Sequence, residues 1–244
     1  MAQYTRRSVL AGIGAGVAIG AGAGVDGASS HGEREDAVRI VHLSPDVPTV
    51  DVYANGDPAF ENVDPLTQSD YVSYEPRSYA LSFTPAGERP EEAIFETDVR
   101  LDSGEYTLAA IGEVCSLSER PLELVRFEDE NGPTEPGHAR LRAVHASPDA
   151  PAIDVATDDG TVLAEGLEFG EGVYVDVPVD EEILETREAG EEDELARFAL
   201  DLEAGSVYTA YAVGYLTPEE APANVSDDFS FSLAITEDAT PGEQ

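Results

Sequence analysis

The chain has no lysine, no tryptophan and a single cysteine in 244 residues, and each scarcity excludes something. All 13 basic residues are arginines set against 51 acidic ones, for a formal net charge of −38. No basic patch exists to neutralise phosphates, so nucleic-acid binding is excluded. One cysteine, Cys115, permits neither an intramolecular disulfide nor a cysteine-based zinc site. Within the apolar run of residues 108–117 it reads as a small buried hydrophobe rather than as a catalytic thiol. Without tryptophan, a sugar-stacking platform lacks its best residue. The tyrosines that remain as candidates for one, Tyr71, Tyr74, Tyr79, Tyr106, Tyr208, Tyr211 and Tyr215, mostly fall at strand spacing and read as core or cross-strand residues. The nucleophile-elbow, zincin, phosphate-loop and dinucleotide motifs are also missing. With so many acids, a pair of carboxylates nominates no glycosidase. The chain is expected not to be an enzyme, and no cofactor is implied.

Hydrophobic residues make up 41% of the chain and charged ones 26%, enough apolar material for packed cores. The acids are interleaved with apolar residues along the whole length instead of forming one block, so they read as solvated faces. So many like charges repel at low ionic strength, whereas molar salt shortens the Debye length to about 3 Å. The expected setting is therefore brine and the expected source an extreme halophile. A second reading of the same surface is the collection of divalent cations.

Arg6 and Arg7 precede a weakly hydrophobic, glycine-rich stretch of residues 9–25. Twin arginines ahead of such a stretch resemble a twin-arginine signal, which exports proteins already folded. Residues 1–30 are thus expected to be a signal segment, and the protein extracytoplasmic, secreted or at the cell surface. The membrane enters only if that segment is retained as an anchor. It is short for a span, and no other stretch approaches the ~20 apolar residues a helix needs to cross a bilayer.

A repeat organises the remainder. Arg39-Ile40-Val41-His42-Leu43-Ser44-Pro45-Asp46-Val47-Pro48-Thr49-Val50-Asp51-Val52 is answered by Arg142-Ala143-Val144-His145-Ala146-Ser147-Pro148-Asp149-Ala150-Pro151-Ala152-Ile153-Asp154-Val155. Farther on, Leu101-Asp102-Ser103-Gly104-Glu105-Tyr106-Thr107 is echoed by Leu202-Glu203-Ala204-Gly205-Ser206-Val207-Tyr208-Thr209, with Val207 as an inserted residue. Both runs close on glycine, at Gly112 and Gly214. Two echoes in one order imply a duplicated domain of roughly a hundred residues, at 37–130 and 138–240, joined by a Pro- and Gly-rich linker over residues 130–137.

Local signals within each copy are those of strands. Residues 38–43 are rich in branched apolar side chains, and Val50 and Val52 alternate with Asp51 and Tyr53, so one face should be buried and the other wet. Asn55-Gly56 and Asp159-Gly160 mark hairpins; Asp158-Asp159-Gly160 also resembles part of a calcium loop, but the rest of that spacing is missing. Further strands are predicted over residues 71–74, 78–84, 94–101, 106–111, 122–127, 173–177, 195–202, 207–213 and 229–235, and only residues 181–189 suggest a helix. The expected fold is all-β, with two tandem Ig-like antiparallel β-sandwich domains after the signal segment.

The repeated string His-x-Ser-Pro-Asp-x-Pro-x-x-Asp-Val resembles the opening of the uncharacterised domain-of-unknown-function family 4397, and with the Gly-x-Tyr-Thr strand the resemblance extends from about Ala37 to the chain's end in two copies. It implies an extracytoplasmic β-rich module of prokaryotic envelopes, with no established catalytic residues or ligand. The second copy departs in having Ala156 in place of Tyr53 and Val207 as an extra residue.

Chemically, proline at Pro45 and Pro148 presets a turn, and Asp46 and Asp149 can bond their own backbone two residues on. One reading makes His42 and His145 strand-end residues whose rings bond a turn carbonyl or a carboxylate. The other brings His42, Asp46 and Asp51, and likewise His145, Asp149 and Asp154, together as mixed nitrogen and oxygen ligands of a metal, although Asp51 and Asp154 are expected to face solvent. Asn224-Val225-Ser226 is a candidate glycosylation sequon. The function expected on these grounds is an exported envelope module of structural or adhesive type. A binding module for a sugar, peptide or divalent metal ion is the alternative, and an envelope glycan or a surface protein is the expected class of partner.

Overall fold

In the computed structural model, Ser8–Val9, Ala11–Ile13 and residues 36–241 are described, apart from 115–117, 181–182, 192, 223–224 and 226–228. Arg6, Arg7, Cys115 and Asn224 lie outside the described residues. The chain divides into two compact units between Asp129 and Glu130. Two short strands, β1 (Ser8–Val9) and β2 (Ala11–Ile13), come first, β2 going with the N-terminal unit and β1 with the C-terminal one.

The N-terminal unit continues with β3 (Ala37–His42), β4 (Val50–Ala54), β5 (Asp57–Val63), β6 (Thr67–Ser69), β7 (Val72–Ser73), β8 (Arg77–Pro85), β9 (Phe95–Leu101), β10 (Glu105–Ile111) and β11 (Glu123–Glu128). One sheet runs β11-β10-β3-β6, with β7 also on β3 and β2 outside β6; the other runs β5-β4-β8-β9. Between the sheets lies a core that takes Val38, Ile40 and Leu108 from the first and Val52, Leu81 and Phe83 from the second. The C-terminal unit has β12 (His138–His145), β13 (Ile153–Thr157), β14 (Val162–Leu167), β15 (Gly172–Pro178), β16 (Ile183–Glu188), β17 (Glu194–Ala199), β18 (Val207–Val213) and β19 (Ser232–Ala239). Its sheets run β19-β18-β12-β15, with β1 outside β19, and β14-β13-β16-β17. Leu141, Tyr208 and Ile235 meet Val155, Leu184 and Phe198 in its core. Each unit is an all-β sandwich, and the strand order is the same in both.

Most strand pairs are antiparallel, as expected, with one parallel pair within the sandwich of each unit. β3 is parallel to β10, and β12 to β18. β3 therefore lies between β6 and β10, and β12 between β15 and β18, whereas the immunoglobulin arrangement groups the first strand with the second, fifth and fourth. The reason is visible in these strands: parallel strands buried on both faces read as continuous apolar runs. Val38 and Ile40 enter the core, while Arg39 and Val41 on the opposite face are buried too, as are Arg142 and Val144.

Residues 181–189, suggested as a helix, contain instead β16, paired with β13 and β17. Their Glu, Leu and Arg are good helix formers, but pairing on both sides overrides propensity. Leu184 points to the core, and Glu185 on the other face is gripped by Arg187 at 2.7 Å and Arg197 at 2.6 Å. Asn55-Gly56 forms the predicted two-residue hairpin between β4 and β5, at φ 53° and 88°, the positive values that a tight hairpin matching strand twist requires. Asp159-Gly160 sits in a longer turn, where the Asp159 carboxylate accepts the Thr161 amide at 2.9 Å and the Thr157 hydroxyl at 2.7 Å. Those bonds, the Thr157 one first, hold its carboxyl below the usual range. The β18–β19 register shifts between Val207 and Tyr208, and the extra residue of this bulge, Asp238, lies on β19.

Candidate functional site

Each sandwich carries its motif where the first strand ends. His42 and His145 close β3 and β12 and are buried, 1% and 0% exposed. Their Nε2 atoms lie 3.1 Å from the Pro48 carbonyl and 2.9 Å from the Pro151 carbonyl. A carbonyl can only accept, so Nε2 carries the proton in both rings. In the second copy Nδ1 accepts the Ser147 amide at 3.3 Å, which makes that ring neutral. Burial lowers the pKa of His42, opposed by its bonds to the turn backbone. The strand-end reading of the two histidines matches this geometry.

The aspartates are bonded to backbone as well. Asp46 accepts the Val114 amide at 2.9 Å, and Asp149 accepts those of Leu216 and Thr217 at 2.8 Å each. These bonds tie the motif turn to the loops that leave β10 and β18. Ser147 adds a bond to the Gly214 carbonyl at 2.6 Å. Asp51 does not face solvent as expected: it is 7% exposed, and its two carboxylate oxygens each take a backbone amide, Asn62 and Gly87, both at 2.7 Å. Asp154, half-buried, takes Gly166 at 2.6 Å and Gly190 at 3.0 Å. All four of these donors have positive φ, 55° and 85° in the first unit and 61° and 79° in the second. The motif's last aspartate therefore pins an irregularity in the neighbouring strand and the turn that follows β8 or β16. Among the described residues, no three His, Cys, Asp or Glu side chains come together as a metal site, and the metal arrangement of His42, Asp46 and Asp51 or of His145, Asp149 and Asp154 is not formed.

A second constellation was not singled out from sequence. Arg39 and Arg142 are 2% and 1% exposed. Arg39 Nε donates to the Thr107 hydroxyl at 2.8 Å, which in turn donates to Asp129 at 2.8 Å, and Tyr71 donates to the same carboxylate at 2.6 Å. Arg142 Nε donates to Thr209 at 3.0 Å and Thr209 to Asp238 at 2.5 Å. Both guanidinium groups lie over a tyrosine ring, Tyr71 at 4.6 Å and Tyr174 at 5.2 Å. The available signal is an arginine at the same place in both copies, Arg39 between Val38 and Ile40 and Arg142 between Leu141 and Ala143, a charge that has to be paired when buried.

The tyrosines considered for sugar stacking are buried at Tyr74, Tyr79, Tyr106, Tyr208, Tyr211 and Tyr215. The open feature lies elsewhere. In the C-terminal unit a groove of about 640 Å³ runs between β14 and the start of β15, lined by Val162, Leu163, Ala164, Leu167 and Val173, with Glu165 and Glu171 beside them.

Residues 36–156 are a domain of the family described as Domain of unknown function (DUF4397), a match that runs from the first motif through the second. No curated protein matches the chain. Among solved structures it is similar to the Bacillus anthracis TIE protein, with a TM-score of 0.24 and 11% identity over 74% of this chain and 34% of that one. The chain spans about a third of that protein's length.

Proposed function

We propose that residues 37–130, within the DUF4397 match at 36–156, are the first of a tandem pair, with residues 138–240 as the second copy, in an exported envelope protein of a halophile whose role is structural or adhesive. One observation carries this reading. In both units the polar residues that the repeat preserves are bonded to their own backbone or to one another, so the preserved chemistry is that of a sandwich being held in shape. The same strand order in both units supports the tandem copy. Arg6 and Arg7 support export, and the charge of −38 supports a briny setting.

Export is tested by expressing the full chain with Arg6→Lys and Arg7→Lys and fractionating the cells. The native chain is expected outside the cytoplasm and the variant inside. Equal distribution of the two would overturn the reading. The second reading, a binding module, is favoured by the groove beside β15 and, of its three ligand classes, points to a peptide, because strand edges line the groove.

A further inference from the structure

The C-terminal sandwich has a seam where its two sheets end side by side: β14 ends one and β15 the other. Val162 and Val173, which flank the groove between them, are 42% and 37% exposed, two of the three large exposed hydrophobics among the described residues. A sheet edge bordered by apolar side chains is a template for another strand, and natural sheets usually blunt it with charge, proline or a covering segment.

The matching edge of the N-terminal unit is covered. There β6 pairs with the end of β3, His42 opposite Thr67, as the start of β15 pairs with the end of β12, Val144 opposite Gly172. Outside β6 lies β2, parallel to it, with Ala11, Gly12 and Ile13 opposite Thr67, Gln68 and Ser69. One place in the fold is thus filled by Ala-Gly-Ile in the first unit and lies at an open groove in the second.

We propose that the groove of the C-terminal unit is a strand-addition site for an extended peptide lying parallel to β15. The peptide's main chain bonds the β15 edge, and its side chains alternate, one set entering the groove against Val162, Leu163 and Val173. That set is small or branched and apolar. Glu165 and Glu171 at the groove, in a chain of formal charge −38, repel an acidic segment and attract one carrying arginine or lysine. This specifies the binding form of the function proposed above and rests on it; the export and scaffold reading stands without it.

The chain's own sequence Arg6-Arg7-Ser8-Val9-Leu10-Ala11-Gly12-Ile13 has the required chemistry and serves as the probe. A fluorescent peptide of this sequence is titrated against the full chain in molar salt, where non-specific attraction to the acidic surface is screened. The expected result is saturable binding that Val162→Glu with Val173→Glu weakens by about tenfold or more. A peptide N-methylated along one side of its backbone, which leaves the protein untouched, is expected to lose binding to the same extent. Absence of saturable binding overturns the proposal, as does equal affinity for plain and methylated peptides. If the variant chain keeps its melting transition and binds as well as the native one, the site is not this groove. Fractionation of the Arg6 and Arg7 variant reads the export proposal separately, so the two can fail independently.

Discussion

Asp51 and Asp154 each hold two amides whose residues sit at positive φ. A hydrogen bond to a charged group contributes about 1.5–3 kcal/mol, and the amides would lose their partner if the carboxylate were removed. Asp51→Ala is therefore expected to destabilise the N-terminal unit by about 3 kcal/mol, more than Asp154→Ala does in its half-buried setting, as read by denaturant midpoints in molar salt. The buried arginines give a sharper contrast. Arg39→Met strands Asp129 without its cation, and breaking a buried pair costs about 3–5 kcal/mol, whereas replacing both partners by apolar groups is often close to neutral. Arg39→Met with Asp129→Leu should therefore recover much of the loss; if the double variant is as unstable as the single, the pair is not what the site depends on. His42 adds a pH dependence. Burial holds its folded pKa below the ordinary histidine value of 6.5, so the unfolded chain takes up the proton first as pH falls. Stability contributed by the neutral ring is present above pH 6.5 and is lost below it, at no more than about 1.4 kcal/mol per pH unit for one proton. In His42→Gln, whose amide can still donate to Pro48, the decline between pH 7 and pH 5.5 should be shallower in urea titrations.

At the scale of elements, Gly112 and Gly214 end β10 and β18 at φ 84° and 79°, and a Cβ there would lie 2.4 Å from the Pro121 carbonyl oxygen or 2.5 Å from that of Ser230. Both contacts are with backbone, which cannot swing aside. Gly112→Ala and Gly214→Ala should each cost at least about 2 kcal/mol, measurable as a drop in melting temperature. Elements whose identity is local were legible in the sequence: the alternation in β4, the Asn55-Gly56 hairpin and the strands closed by these glycines. What depends on distant partners was not. Ile183–Glu188 carries four good helix formers, Leu184, Glu185, Arg187 and Glu188, beside the β-branched Ile183 and Thr186, and its pairing with β13 and β17 makes it a strand. The alternation at Val50 and Val52 correctly placed the core face but misread Asp51, because period two says which way a side chain points and not what covers it. Parallel pairing of β3 with β10 is likewise a matter of topology: the apolar run of β3 shows that both its faces are buried, but not which strand lies beside it. In a chain with 51 acidic residues, nothing local marked Asp129 as the one that Arg39 would need.

The whole molecule is governed by its charge. Sandwich cores account for the apolar residues, but a formal charge of −38 on 244 residues works against any compact state, because folding brings like charges closer. At 1 M salt the Debye length is about 3 Å, shorter than the spacing of most surface carboxylates; at 0.01 M it is about 30 Å, enough to couple charges across a whole domain. The melting temperature is therefore expected to fall steeply on dialysis from molar to millimolar salt. Screening and specific cation capture make different demands on the salt used. If screening dominates, potassium chloride and an organic chloride of equal ionic strength stabilise alike. If the acidic surface instead gathers particular cations, small inorganic ions stabilise and the bulky organic one does not. The acids are interleaved with apolar residues along the whole chain instead of gathered in one block, which favours the first outcome: stability should follow ionic strength rather than cation identity. A melting temperature that stays constant from molar to millimolar salt would mean that the fold tolerates its own repulsion, and the brine origin inferred from composition would lose its physical basis.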